Sequence, residues 1–167
     1  MTKGLKRSLE RASSSVVPLV RTIQLVNKPL TVNGLSGVGF GSVVLDGLPV
    51  GNLSILAVYN NLNFRTSSGS VTATFDGDFG IGTAPSTTAS LSGTTSNLIA
   101  STALGAATAS VSPTKRVTNA TPLIVDNTDG SLEVNLNLLI DDANISADNV
   151  AFLANGTVSF VIANLGK

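Results

Sequence analysis

The chain contains no cysteine, no histidine and no tryptophan, and only one tyrosine among its 167 residues. Without cysteine there are no disulfides, thiolate nucleophiles or iron–sulfur clusters, and without histidine the common zinc sites are gone as well. The residue most often used as a general base near neutral pH is missing too. Charge is sparse: Asp, Glu, Lys and Arg together make up 12%, about half the share of an ordinary soluble domain. No stretch approaches the roughly 18 uninterrupted apolar residues of a helical membrane span, so no membrane partner is expected. Ser13–Ser15 and Arg21 interrupt the basic N-terminus, which argues against a secretory signal peptide.

What is present is Val, Leu, Ile, Ala, Ser, Thr, Asn and Gly. Hydrophobic residues reach 43% while aromatics are 4%, so a sizeable core must be aliphatic and the surface must be polar without being charged. The formal net charge of zero hides an asymmetry. Residues 1–28 carry Lys3, Lys6, Arg7, Arg11, Arg21 and Lys28 against Glu10 alone, and the remainder is acidic by the same margin. The expected organisation is a basic N-terminal arm over 1–28, partly helical or extended, followed by one β-domain over 29–167. In the arm, Leu5, Leu9 and Ala12 share a helical face, with Lys3, Lys6, Arg7 and Arg11 mostly elsewhere.

Beyond the arm the periodicity is that of strands. "RTIQLV", "VGFGSVVL", "NLSILAVYNNLNFR", "VTATFDGDFGIGT", "SNLIASTAL", "ATASVS", "TPLIVD" and "SLEVNLNLLID" are separated by Gly, Asn, Asp and Pro. Asn60-Asn61 reads as an irregularity, and Asn155-Gly156 inside "VAFLANGTVSFVIANL" as a hairpin dipeptide. Many short strands and no long helical period predict an all-β antiparallel sandwich, either a jelly roll or an Ig-like Greek key.

The most site-like stretch is "VTATFDGDFGIGT", residues 71–83. As an EF-hand it fails, because the twelfth position from Asp76 is Thr87 where a bidentate Glu is required. As a phosphate loop it fails for want of a following Gly-Lys-Ser/Thr and helix. Counted by twos, Val71, Ala73, Phe75, Gly77, Phe79 and Ile81 share the core face, while Thr72, Thr74, Asp76, Asp78, Gly80 and Gly82 share the solvent face. Gly77 then marks a bulge or a close approach of another backbone. In "GLSGVGFG", Gly37, Gly39 and Gly41 form a flat strand face for packing rather than a nucleotide loop. A weak calcium set is Asp141, Asp142, Asn144 and Asp148, in a polar connection that matches no defined loop. Nothing assembles a catalytic group: a serine nucleophile would have to rely on Lys28 or Lys115, and a glycosidase would lack an aromatic sugar platform. No enzyme activity and no cofactor are expected.

"FDGDFGIGTAPS", "LIASTALGAATASVS" and "LNLLIDDANISADN…GTVSFVIANLG" resemble phrases of small β-rich structural proteins of tailed bacteriophages, a likeness covering roughly residues 35–165. The resemblance implies a virion location and a head decoration (cement) role on the capsid surface. It also implies a major capsid protein as partner and a homotrimer or other homo-oligomer. Lys3, Lys6, Arg7, Arg11 and Arg21 are then the expected capsid contacts. Four cations within residues 3–11, without aromatics for base stacking, do not predict a nucleic-acid partner. Two alternatives stand beside this reading. One is a self-assembling coat protein with an inward basic arm. The other is a host- or glycan-binding fibre domain, which scarce aromatics disfavour.

Overall fold

The computed structural model describes residues 17–35, 38–67, 75–108, 111–141 and 150–166. These residues form nine strands and a single 3₁₀ turn at Gly93–Thr95. The strands are β1 (Leu19–Leu35), β2 (Val38–Gly47), β3 (Gly51–Thr66), β4 (Gly77–Gly82), β5 (Ile99–Ala103), β6 (Lys115–Asn119), β7 (Leu123–Asn127), β8 (Glu133–Ile140) and β9 (Val150–Gly166). All pairings are antiparallel.

β6 and β7 lie end to end along β3, against Val58–Leu62 and Gly51–Ile55 respectively. They act as one strand interrupted by Ala120–Pro122. The chain then pairs as nested partners: β1 with β9, β2 with β8, β3 with the β6/β7 strand, and β4 with β5. One sheet reads β1-β9-β3-β6/β7 and the other β2-β8-β4-β5, and the start of β2 joins them by pairing with Asn33–Leu35 of β1. An Ig-like sandwich would seat the first two strands side by side within one sheet. Here β2 lies between β8 and the tip of β1, and the nested order is that of a jelly roll, a long hairpin wrapped into two Greek keys.

The strand directions put the C-terminal ends of β1, β3, β5 and β8 at one end. The β2–β3, β4–β5 and β7–β8 connections are at the other, with Val17 and Gly166.

The core lies between the sheets and is largely aliphatic, as the composition requires. Alternation in β8 buries Val134, Leu136, Leu138 and Ile140, and alternation in β9 buries Phe152, Val158, Phe160 and Ile162. The few aromatics join the layers: Phe64 meets Phe79 at 5.6 Å between ring centres, and Phe75 meets Phe152 edge-on at 5.2 Å. The far edges nearly close the sandwich, since Asn119 Nδ2 donates to Leu98 O at 2.8 Å. The edges are also blunted. β5 is short, β6/β7 is broken at Pro122, and β1 carries Pro29 and a bulge between Leu25 and Lys28 with Asn27 at φ 51°.

Three expectations change. Asn155-Gly156 makes no turn, because β9 runs unbroken through it. Gly156, at φ 126°, lies so close to β3 that a Cβ would sit 1.9 Å from Asn61 O, so glycine is required there for approach rather than reversal. Asn60–Asn61 is regular, and the register shifts of β3 against β9 fall at Asn52/Leu53 and Ile55/Ala57. Residue 28, the expected boundary, lies inside β1, whose first seven residues, Leu19–Leu25, already pair with β9. The rest of the arm, residues 1–16, lies outside the described residues.

Candidate functional site

β4 behaves as its period-two reading predicts on the inner side: Phe75, Phe79 and Ile81 are buried and Asp76 is exposed. Gly77, at φ 142°, is the predicted close approach, since a Cβ would fall 2.1 Å from Leu139 O. Gly41 likewise abuts β1, with a Cβ position 2.1 Å from Thr31 O. Val71, Ala73 and Gly37 lie outside the described residues.

The outer side of β4 differs from expectation. Gly80 and Gly82 are buried because the β4–β5 connection folds over this sheet. Asn137 on β8 anchors that connection. Its Nδ2 donates to Ala84 O at 3.0 Å and to Thr95 O at 2.7 Å, and its Oδ1 accepts from Ser86 N at 2.8 Å. A fully buried amide with such partners is a structural staple.

Asp76, Asp78 and Asp141 border one shallow depression at the opposite end of the molecule from Val17, and Asp141 N donates to Asp76 O at 3.2 Å. No group of three or more ligating carboxylates able to hold a metal occurs among the described residues. Of the weak calcium set, Asp141 is exposed, and Asp142, Asn144 and Asp148 lie outside the described residues.

Where β7 turns into β8, Asp126 and Asp129 each accept a pair of hydrogen bonds. The backbone N–H and hydroxyl of Thr128 donate to Asp126 at 3.0 and 2.8 Å, and those of Ser131 donate to Asp129 at 3.0 and 2.8 Å. These hydrogen bonds hold both carboxyls below their ordinary value of 3.8. Between them Asn127 is fully buried. Its Nδ2 donates to Leu48 O at 3.0 Å and Pro49 O at 2.9 Å, and its Oδ1 accepts from Leu132 N at 2.8 Å. The two carboxyls shape a turn, and Asn127 ties it to the β2–β3 turn.

Ser112 and Lys115 stand at the spacing of a serine–lysine nucleophile pair. Ser112 is buried, however, and its Oγ accepts from Phe64 N at 2.9 Å, in a connection between strands where no helix brings the two onto one face. Of the expected capsid contacts, Arg21 is engaged internally, paired with Asp46 and donating to Gly47 O at 3.1 Å. Lys3, Lys6, Arg7 and Arg11 lie outside the described residues.

The feature that sequence reading missed is the outer face of the β1-β9-β3-β6/β7 sheet, which no described segment covers. Cross-strand registers line up Val20, Val161 and Ala57, then Ala163, Ser54 and Ile124, then Thr22, Ser159, Tyr59 and Thr118. Val20 is 65% and Ile124 64% exposed. The signal lay in "PLIVD", where Leu123, Ile124 and Val125 put apolar side chains on both faces of one strand.

No family model matches the chain, and no curated protein matches it. Solved structures similar to it include the T13 particle of infectious bursal disease virus, with 15% identity over 88% of this chain and 31% of that one, at a TM-score of 0.41. Another is the capsid protein of a 60-mer BFDV assembly, with 8% identity over 90% and 97% of the two chains, at 0.31. A third is a CBM4 structure, with 11% identity over 80% and 94%, at 0.34. The chain spans about a third of the length of the first of these. The strand order described above, not these likenesses, carries the fold assignment.

Proposed function

We propose that the chain is a non-enzymatic structural subunit of a virus particle. Its finer role is that of a decoration protein, which binds the outer surface of a shell built by a major capsid protein and acts as a trimer or another homo-oligomer. The observation that carries the reading is the body itself: a jelly roll of charge-poor surface, blunted edges and one bare sheet face, joined to a segment that concentrates the basic residues. Blunted edges prevent open-ended strand addition and leave faces and loops for contact. Repetition over a lattice turns weak single contacts into firm attachment. The basic segment would steer docking to an acidic shell. The phage-like phrases in the sequence support the same role.

A second reading, a self-assembling coat protein with the basic segment turned inward, is favoured by the jelly-roll order, which recurs in shell-forming subunits. A glycan-binding fibre domain has less support: Tyr59, the one tyrosine, lies in a flat row between Ser159 and Thr118.

The test is to purify the chain alone and image it by electron microscopy with light scattering. The decoration role predicts soluble small oligomers that bind preformed capsids and raise their disruption temperature. Closed shells from the chain alone establish the coat role instead. Neither shells nor capsid binding overturns both.

A further inference from the structure

The outer face of the β1-β9-β3-β6/β7 sheet is complementary to itself. Along β3, Asn52, Ser54, Ala57, Tyr59 and Asn61 succeed one another on this face, and the bulge between Ile55 and Ala57 keeps them in step. Each marks a row across the sheet. The middle row is Val20, Val161 and Ala57. Ala163, Ser54 and Ile124 flank it on one side, and Thr22, Ser159, Tyr59 and Thr118 on the other. The two outermost rows carry the only charges of the five: Asp126 across from Asn52, and Arg116 across from Asn61. Both lie on the β6/β7 edge, both are exposed, and neither is ion-paired with another described residue. An exposed centre of Val, Ile and Tyr with charge only at its margin has the make-up of an interface core.

We propose that this face is a two-fold interface with a second copy of the chain, in which the middle row lies on its own counterpart and Asp126 of each copy meets Arg116 of the other. A two-fold axis along the middle row, across the strands, turns each row onto the one equally far on the other side. Ser54 of one copy then faces Tyr59 of the other, small against large, and Ile124 faces Thr118. Because β6 and β7 share one edge of the sheet, the same rotation sets Asp126 opposite Arg116 twice per dimer. Strands of aligned sheets packed face to face stay within about 30° of each other, so the rows remain opposed. The five rows measure about 19 by 30 Å. Two copies would bury roughly 1,100 Å² in all, just beyond the ~1,000 Å² expected of a specific interface. The proposal gives the homo-oligomer proposed above its contact surface, and it rests on that part of the reading.

Sedimentation equilibrium of the full chain tests this, with a dimer as the expected species. Arg116→Asp and Asp126→Arg should each raise its Kd at least about tenfold, because each reversal sets two like-charged pairs against one another across the axis. The two reversals combined should return the Kd to within about threefold of the parent, a rescue that loss of fold would not give. Val161→Asp brings two carboxylates together on the axis and should leave monomer. Asp141→Arg, at the far end of the other sheet, should change nothing. Circular dichroism confirms that each variant keeps its β-fold. Folded single reversals that weaken the dimer without rescue by the pair overturn the proposed pairing. Oligomers indifferent to every reversal overturn the surface and leave the homo-oligomer standing. Monomers at every concentration up to about 1 mM overturn both. Capsid binding, measured separately, bears on the decoration role alone.

Discussion

The rings of Phe64 on β3 and Phe79 on β4 meet 5.6 Å apart, linking the two sheets through the middle of the core. Both are fully buried in a core built largely from Val, Leu and Ile, which also holds Phe75, Phe152 and Phe160. Phe79→Ala should therefore cost about 3–5 kcal/mol, and Phe79→Leu distinctly less. Urea unfolding monitored by circular dichroism measures both, and a cost near zero for Phe79→Ala would show that the layers do not meet there.

Asn137 holds the β4–β5 connection onto its sheet through three hydrogen bonds. Asn137→Ala should lose about 1–3 kcal/mol by leaving buried backbone groups unpaired. Amide exchange should rise selectively at Ser86. An unchanged exchange rate there would mean the staple is not what secures the loop.

Gly77 and Gly47 make a matched comparison. A Cβ at Gly77 meets Leu139 O at 2.1 Å on a backbone at φ 142°, whereas one at Gly47 meets nothing within 4 Å. Gly77→Ala should destabilise by at least about 1–3 kcal/mol from backbone strain alone. Gly47→Ala should stay within about 0.5 kcal/mol of the parent. Equal melting temperatures for the two variants would contradict the strand placement.

Asp126 and Asp129 supply a pH dependence. Their folded-state pKa values are lowered by hydrogen bonds from Thr128 and Ser131, so the stability they contribute is present above 3.8 and is lost as pH falls through the lower folded values. The double variant Asp126→Asn, Asp129→Asn should melt below the parent near neutral pH. The difference should narrow as pH drops below the ordinary carboxylate value. A gap that is constant across this range would mean the turn gains nothing from ionisation.

Period-two alternation made β4 and β8 legible in the sequence, short β-rich phrases between turn residues did the same for β2, β5 and β7, and the absence of long helical periodicity argued against helices in the body. What was hidden depended on contacts distant in sequence. Asn155-Gly156 carries the local signature of a turn, but its glycine answers to Asn61 on another strand. β6, with Val117 as the one large apolar residue of Lys115–Asn119, carries too weak a pattern to stand out and is a strand because β3 pairs with it. Jelly roll and Ig-like orders share the same strands, so only the pairing of β1 with β9 and β2 with β8 separates them. At the candidate site the sequence identified acidic motifs, which became turn and strand-end residues. The uncovered sheet face was concealed because Val20, Val161, Ala163 and Ile124 come from three separated segments.

The central claim is that this jelly roll is a structural part of a virus particle. An electron cryomicroscopy map of particles from the virus that encodes the chain tests it most directly. The account predicts density for the nine-stranded body at repeated lattice positions on the capsid surface, with β1 and its preceding segment at a contact with the shell or with a neighbouring copy. Purified, intact particles lacking both this density and the chain itself would contradict it.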